Sequence, residues 1–388
     1  MELFVFNPEH DYALADGNPH FVALQTAVQF SYDCAPFMSF LSTSQHSIFD
    51  SYVYENGSLT KNFNLNCPKD ELEKITPWGW DAAIRTQLLT SGVSETLLPT
   101  SQQIANIRDL AHRKNAIIAQ KFISDKSSFS NFFPNCSTEL NNIEDVESFV
   151  KINKNVLFKS PYSGNGRGHL YAHYECSETL LRQISGVISR QGSIIAEKLL
   201  SVVQDFAMEF EISDKKSSFL GYSLFKTKRY AYDLNILMSD GDILKYLSKY
   251  LNVEVFEDVK SRVIEFLDIY VASNYQGVVG VDMFLYNEND TIKLQPFSEM
   301  NIRMTMGYAA HQIFDKYCHP NSFGIFKIVR YKENDELKRF VDENLLKNPL
   351  KMRDGMWYSG FISLTPLNDT TKYSVCVKLS EEVCNIDC

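Results

Sequence analysis

The chain lacks any C-x-x-C pair. Its eight cysteines (Cys34, Cys67, Cys136, Cys176, Cys318, Cys376, Cys384 and Cys388) are scattered, and no histidine stands at zinc-ligand spacing from them. That excludes a zinc ribbon and a thioredoxin-type redox motif and leaves reduced, structural thiols as the expected state. No apolar run approaches the ~20 residues of a membrane span. The first residues, MELFVFNPEHD, carry an acid at position 2 and no long apolar stretch, so no secretory signal is expected and the sequence is placed in the cytoplasm. Positive charge is scarce as well: 38 Lys and Arg stand against 48 Asp and Glu, a net charge of -10. An extended nucleic-acid or anionic-membrane surface needs a basic field, so both are excluded, although a local basic pocket is not. Internal repeats and low-complexity tracts are also missing.

What the sequence has is the make-up of a globular enzyme-sized chain. With 388 residues, 44% hydrophobic and 22% charged, it suits two or three domains at roughly 100–200 residues each. Residues 2–6 form a short apolar strand broken at Asn7-Pro8. The polar loop Asn7-Pro8-Glu9-His10-Asp11 then follows a strand's carboxyl end, where open α/β sheets bind ligands, and it leads toward a helix carrying Ala23, Ala27 and Val28. A second strand is expected over 47–54 and a helix over 81–89, closing a small α/β unit near Pro99. Thr100 and Gln103 match a capping box opening a helix with Ile104, Ile107, Leu110 and Ala111 on one face, and Arg113-Lys114 fall near its end.

Residues 155–159 form another apolar strand, ending in Lys159 and running into Ser160-Pro161-Tyr162-Ser163-Gly164-Asn165-Gly166-Arg167-Gly168. Glycines alternating with polar residues let backbone N–H groups approach phosphate oxygens, and such a loop has little to pin it, so a mobile lid is expected. It is no Walker loop, because no G-K-[ST] follows, and no dinucleotide fingerprint, because residues 169–174 continue as strand. After a helix over 177–190, the strand 193–200 ends in Glu197-Lys198-Leu199-Leu200. Residues 204–212 alternate and hold Asp205, Glu209 and Glu211. Residues 219–222 begin a strand that ends in the basic cluster Lys226-Thr227-Lys228-Arg229, either an edge strand guarded by charge or a pocket for phosphate or carboxylate.

After a long helix over 255–275 comes the stretch on which the rest is organised, YQGVVGVDMFLYNENDTIKLQPFSEMNIRMTMG at 275–307. Strands over 278–286 and 291–297 flank a turn at 287–290, making a β-hairpin. Glu299, Asn301 and Arg303 are spaced by two and share a face in extended chain, as Asp282 does on the first strand. Asp282, Glu299 and Asn301 offer a hard cation its oxygen ligands. Mg²⁺ takes one or two carboxylates from protein and fills the rest of its shell with phosphate and water. Arg303 adds a permanent positive charge beside it.

In order, spacing and element type, Lys159 with its glycine loop, the Glu197-Lys198 segment, Asp205, the long helix, G-V-D-M-F and E-M-N-I-R resemble the ATP-grasp superfamily over roughly residues 100–312. The resemblance implies an α/β (α+β) fold: a small Rossmann-like pre-ATP-grasp domain at 1–99, an ATP-grasp domain at 100–319 (lid subdomain 100–200, metal and substrate subdomain 201–319), and a short β-containing C-terminal extension at 320–388. It implies ATP with Mg²⁺, or Mn²⁺ in its place. Nucleotide contacts would come from Lys159, from Lys114 or the adjacent Arg113, from the loop Ser163, Gly164, Gly166 and Gly168, from Glu197, Lys198, Leu199 and Leu200 at the adenine edge, and from Asp205 at the ribose. Magnesium would be held by Asp282, Glu299 and Asn301. Arg303 would face the transferring phosphoryl, with Lys226 and Lys228 assisting. Ser-Val-Val-Gln between Leu200 and Asp205 departs from the glycine-bearing turn of many members.

Such enzymes are mostly ligases, so the resemblance implies activation of a carboxylate as an acyl phosphate and capture by an amine of amino-acid or peptide type, releasing ADP and phosphate. A kinase acting on a hydroxyl and a non-catalytic nucleotide-binding module are the alternatives. Small-molecule or peptide partners are expected.

Overall fold

The computed structural model describes residues 1–42, 45–164, 168–228 and 231–381. Strand β1 (Glu2–Val5) is followed by α1 (His10–Asp16), α2 (Gln25–Cys34), β2 (His46–Phe49), β3 (Tyr52–Glu55), β4 (Ser58–Lys61), β5 (Lys74–Pro77) and α3 (Ala82–Thr90). β1 lies between β2 and β5 in a parallel three-stranded sheet. Two expectations are corrected here. A helix already begins inside the polar loop, at His10, and ends where Gly17 turns left-handed at φ 73°, before α2 starts the next. The single strand expected over 47–54 is two strands in different sheets, because Asn56 and Gly57 adopt positive φ (50° and 79°) and fold β3 back onto β4 as a tight hairpin.

Helix α4 (Ser101–Ala111) opens with the expected capping box of Thr100 and Gln103. The chain then breaks at His112, and α5 (Lys114–Lys126) starts afresh. A four-stranded antiparallel sheet follows, built from β6 (Thr138–Leu140), β7 (Asn155–Lys159), β8 (His169–His173) and β9 (Ile194–Lys198) in the order β6-β9-β7-β8. Helices α6 (Ile143–Asn153) and α7 (Glu178–Gln191) bury Val146, Val150, Leu180 and Ile184 against it.

The largest sheet comprises β10 (Ser201–Ser213), β11 (Lys216–Lys228), β12 (Ala231–Leu237), β13 (Gly277–Glu288), β14 (Thr291–Asn301), β15 (Phe323–Arg330), β16 (Lys351–Arg353), β17 (Met356–Ser363) and β18 (Tyr373–Ser380), ordered β14-β13-β10-β11-β12-β15-β18-β17-β16. The β13–β14 hairpin turns at Asn289 and Asp290, both at positive φ (53° and 61°). Between these strands lie α8 (Asp240–Leu247), α9 (Val253–Tyr270), α10 (Met306–Tyr317) and α11 (Asn334–Lys347). α5 and α9 cover one part of the sheet, burying Ala119, Ile123, Val259, Val263 and Phe266 against Phe206, Met208, Val281 and Phe297. The strands after residue 320 prolong the same sheet through antiparallel pairing of β12 with β15. Their residues Phe326, Val375 and Val377 share one core with Phe6, Phe37 and Trp78 of the first unit and with Ile313 and Phe314 of α10.

Phe37 is fully buried at this junction, its ring edge-on to Phe6 at 5.1 Å and 6.4 Å from Phe326. Truncation to alanine leaves a cavity and should lower the urea midpoint by an amount equivalent to about 3–5 kcal/mol. A midpoint equal to that of the wild type would show that the first unit and the C-terminal strands do not share their stability.

Candidate active site

One cleft gathers residues from the first unit, the four-stranded sheet and the large sheet. It has a volume of about 280 Å³ and is lined by Asp11, Lys159, Gly164, His169, Glu197, Leu199, Leu200, Asp205, Asp282, Glu299, Asn301 and Arg303, among others. Its acidic floor is set by strand register: Asp282 on β13 stands directly opposite Glu299 on β14, and Gly280 opposite Asn301. The Asn301 amide donates to Asp282 Oδ2 at 3.2 Å. Burial, with the Glu299 charge beside it, pushes the Asp282 carboxyl up to about 7. Among the described residues no three His, Cys, Asp or Glu side chains cluster as a metal cage. The donor set is therefore two carboxylates and one amide oxygen, which suits a Mg²⁺ that draws its other ligands from phosphate and water.

Three cations face this floor, each already held by an acid. Arg113 is buried, and its Nη2 lies 2.6 Å from Glu299 Oε1. It also binds the glycine loop, donating to the Ser160 carbonyl, to Ser163 Oγ at 2.7 Å and to the Ser163 carbonyl at 2.8 Å. Lys159 Nζ pairs with Glu197 Oε1 at 2.6 Å and donates to Ser298 Oγ at 3.1 Å. Arg303 is clamped by Asp11, Nε to Oδ1 at 3.0 Å and Nη2 to Oδ2 at 2.9 Å. Asp11 is aimed by its own loop: Asn7 donates to Asp81 Oδ2 at 3.1 Å, His10 Nδ1 meets the same oxygen at 3.1 Å, and Asp81 Oδ1 caps α3 at Ile84. Gly164 packs on Asp11 so closely that a side chain there would collide with the carboxyl.

At the other end Leu157, Leu199, Leu200, Val202, Phe225, Met283 and Phe284 make an apolar slot. Asp205 borders it, accepting from Thr227 Oγ1 at 2.9 Å, and burial raises its carboxyl above the usual range. His169 joins the wall; burial, reinforced by Lys159 and Arg113, holds it at about 3, so it is a neutral ring.

Several sequence expectations are corrected. Lys114 does not line the cleft and is tied to Asp109 at 2.6 Å, while its neighbour Arg113 reaches the cleft residue Glu299. The break at His112 puts the two at a helix start, where successive residues point in different directions. Lys226 and Lys228 do not line the cleft: Ser223, Phe225 and Thr227 do, and alternation along β11 sends the lysines to the opposite face. β11 is also an inner strand, between β10 and β12. The Lys198 side chain turns outward to Glu288 at 2.9 Å, which leaves only its backbone near the slot. Ser163 lines an adjoining smaller cavity with Asp11, Glu299 and Arg303, and Gly168, at φ 85°, packs against Ser160. Gly166, and with it the centre of the expected lid, lies outside the described residues. Asp11, Glu209, Ser298 and Thr305 were not assigned from sequence. Glu209 was visible only as the second alternate position after Asp205.

No protein-family model matches the sequence, and no curated protein is recognisably similar to it. Solved structures are. N5-carboxyaminoimidazole synthetase from Staphylococcus aureus, complexed with ADP, aligns over 98% of this chain and 94% of its own at 12% identity and a TM-score of 0.52. N5-carboxyaminoimidazole synthase from Aspergillus clavatus, with ADP and 5-aminoimidazole ribonucleotide, aligns over the same shares at 13% identity and a TM-score of 0.51. At such identities the likeness is one of fold. No helix among the described residues is long and apolar enough to cross a membrane.

The loop that aims Asp11 carries a titratable strain of its own. Burial pushes the Glu9 carboxyl up to about 7, although Tyr52 donates to Oε1 at 3.2 Å, and Oε2 has no partner. Against an unfolded value of 4.5, the folded chain then binds the extra proton between those pH values, so stability falls as pH rises through that window. Glu9→Gln should therefore gain thermal stability over the wild type between pH 5 and pH 8. A melting-temperature difference that is equal at both pH values would show that Glu9 does not titrate with folding.

Proposed function

Because the chain has the ATP-grasp fold, we propose that it is an ATP-dependent ligase that activates a carboxylate as an acyl phosphate and couples it to an amine. The observation that carries the reading is the cleft's order: an apolar slot, an acid at its border, then two opposed carboxylates faced by three cations. Adenine fits the slot between Leu199, Leu200, Met283 and Phe284, the ribose falls beside Asp205, and the phosphates reach Lys159 and Arg303. Asp282, Glu299 and Asn301 would hold magnesium, which when bound neutralises phosphate charge. The Staphylococcus aureus and Aspergillus clavatus proteins of similar fold are both complexed with ADP, which supports a nucleotide ligand for this chain. A cytoplasmic setting, where ATP is supplied, suits it.

A carboxylate is a poor electrophile. Moving the γ-phosphoryl onto its oxygen creates a mixed anhydride; an amine then attacks the acyl carbon, and phosphate leaves with the C–O bond's electrons. The protein's share is position and charge neutralisation. Lys159 and Arg303 come from opposite walls and are prepaid: Glu197 and Asp11 hold them in place without ligand. Arg113 links Glu299 to the glycine loop, so phosphate contact at the floor and closure of the loop over it are mechanically joined. Closure excludes the water that would otherwise hydrolyse the anhydride. The lid, the site residues and the division into domains 1–99, 100–319 and 320–388 are parts of this proposal.

Incubation with Mg²⁺, ATP and panels of amino acids and primary amines tests it: ADP and free phosphate should form together and only when both acid and amine are present. ADP without free phosphate would mark a kinase instead. Within the ligase reading, Arg303→Ala should lower kcat by roughly 10²–10³ while ATP affinity changes less than about tenfold, because the guanidinium acts on charge that shifts in the transition state. Calorimetry on that variant checks the split: collapsed ATP affinity with a near-normal kcat would make Arg303 a ground-state clamp. Glu299→Gln should abolish turnover at saturating magnesium and leave the fold intact.

A further inference from the structure

The cleft continues past the acid pair. Along β10 the inward residues are Asp205, Ala207 and Glu209, and all three line it. Opposite them on β13 stand Phe284, Asp282 and Gly280. Two residues of strand span about 7 Å, so Glu209 lies one such step beyond the acid pair, on the side away from Asp205.

Glu209 is 1% exposed. Its Oε1 accepts the Thr305 hydroxyl at 2.7 Å, while Oε2 is buried without any hydrogen-bond partner. Two glycines make room for this carboxyl. A Cβ on Gly280 would stand 2.9 Å from Oε2, and one on Gly307 would collide with Oε1 and with Ser223. The donors of the same wall are committed elsewhere: Asn235 donates to Ser223 Oγ at 2.7 Å, and the Tyr232 hydroxyl donates to Asn235 Oδ1 at 2.6 Å. What the wall presents to the cleft is a carboxyl oxygen without a partner. Leaving such a group unmet is unfavourable, and buried polar atoms without partners in a cleft are the ones a ligand completes.

We propose that this end of the cleft is the acceptor subsite, that it takes a primary amine, and that Glu209 Oε2 receives the amine's N–H. The inference rests on the ligase reading, which needs a nitrogen nucleophile one step beyond the activated carboxylate. An aliphatic amine arrives as an ammonium, which Glu209 and the neighbouring Asp282 attract against the opposing charges of His311 and Arg303. Burial raises the Glu209 carboxyl to about 8, so the empty subsite holds it largely as the neutral acid; it releases its proton to solvent as the ammonium binds, and the ammonium then gives a proton to Glu209 before its lone pair attacks the acyl carbon.

Saturation-transfer NMR on the full chain with MgADP tests this, with n-butylamine and n-butanol as probes of one shape and two chemistries. The wild type should favour the amine by at least about tenfold, the worth of one charged hydrogen bond. Glu209→Gln should abolish that preference with MgADP affinity unchanged. If that variant does not fold, Glu209→Asp, which withdraws the carboxyl by one methylene, should reduce the preference in the same direction. Equal binding of the two probes by the wild type, or an amine preference that survives in the variant, overturns the inference while MgADP binding stands. Failure of MgADP to bind the wild type overturns the ligase reading instead, and an amine preference lost with Glu209 would then uphold an amine site at Glu209 without its acceptor role.

Discussion

Asp282 and Glu299 face each other across a single antiparallel strand pair, and two like charges so placed require cations. Burial first, and the Glu299 charge second, raise the Asp282 carboxyl. The Asn301 hydrogen bond and the Arg303 charge offset that rise at Asp282, and Arg113 at the start of α5 pairs with Glu299. Lys159 at the end of β7 adds a third cation to the cleft, and the first unit adds Asp11, which holds Arg303. Packing around Phe6, Phe37, Trp78 and Phe326 makes the meeting rigid on its far side.

Each cation is paired before any phosphate arrives. Such pairs contribute little net stability, because removing both charges from water costs about as much as their attraction returns. Their value is positional: Asp11 fixes both nitrogens of the Arg303 fork, and Glu197 holds Lys159. A polyanionic ligand can replace these partners without rebuilding the site. Arg113 differs, since its partner Glu299 is itself a proposed metal ligand, so occupation of the floor would compete for Glu299 and would be felt by the glycine loop through Ser160 and Ser163.

Much of this was legible in the sequence because side chains alternate along an extended strand. Glu299, Asn301 and Arg303 were placed on one face by their spacing alone, and all three line the cleft. Parity failed where the strand's phase could not be read: the basic cluster around Lys226 suggested a pocket, but its neighbours Phe225 and Thr227 hold the inward positions. Lys114 and Arg113 could not be told apart because the helix break between them and Ala111 leaves no periodicity to count from. The Asp11–Arg303 clamp spans 292 residues and leaves no local signal. Glu209 was hidden for another reason, since one acid in an alternating strand looks like any solvated position until its burial is known.

The most direct measurement is a crystal structure of the full chain grown with Mg²⁺ and a non-hydrolysable ATP analogue. The account predicts adenine between Leu199 and Phe284, metal density bridging the triphosphate to Asp282, Glu299 and Asn301, and Arg113 drawn off Glu299. A triphosphate bound elsewhere, with Arg113 still paired to Glu299 and no metal at the hairpin, would contradict it.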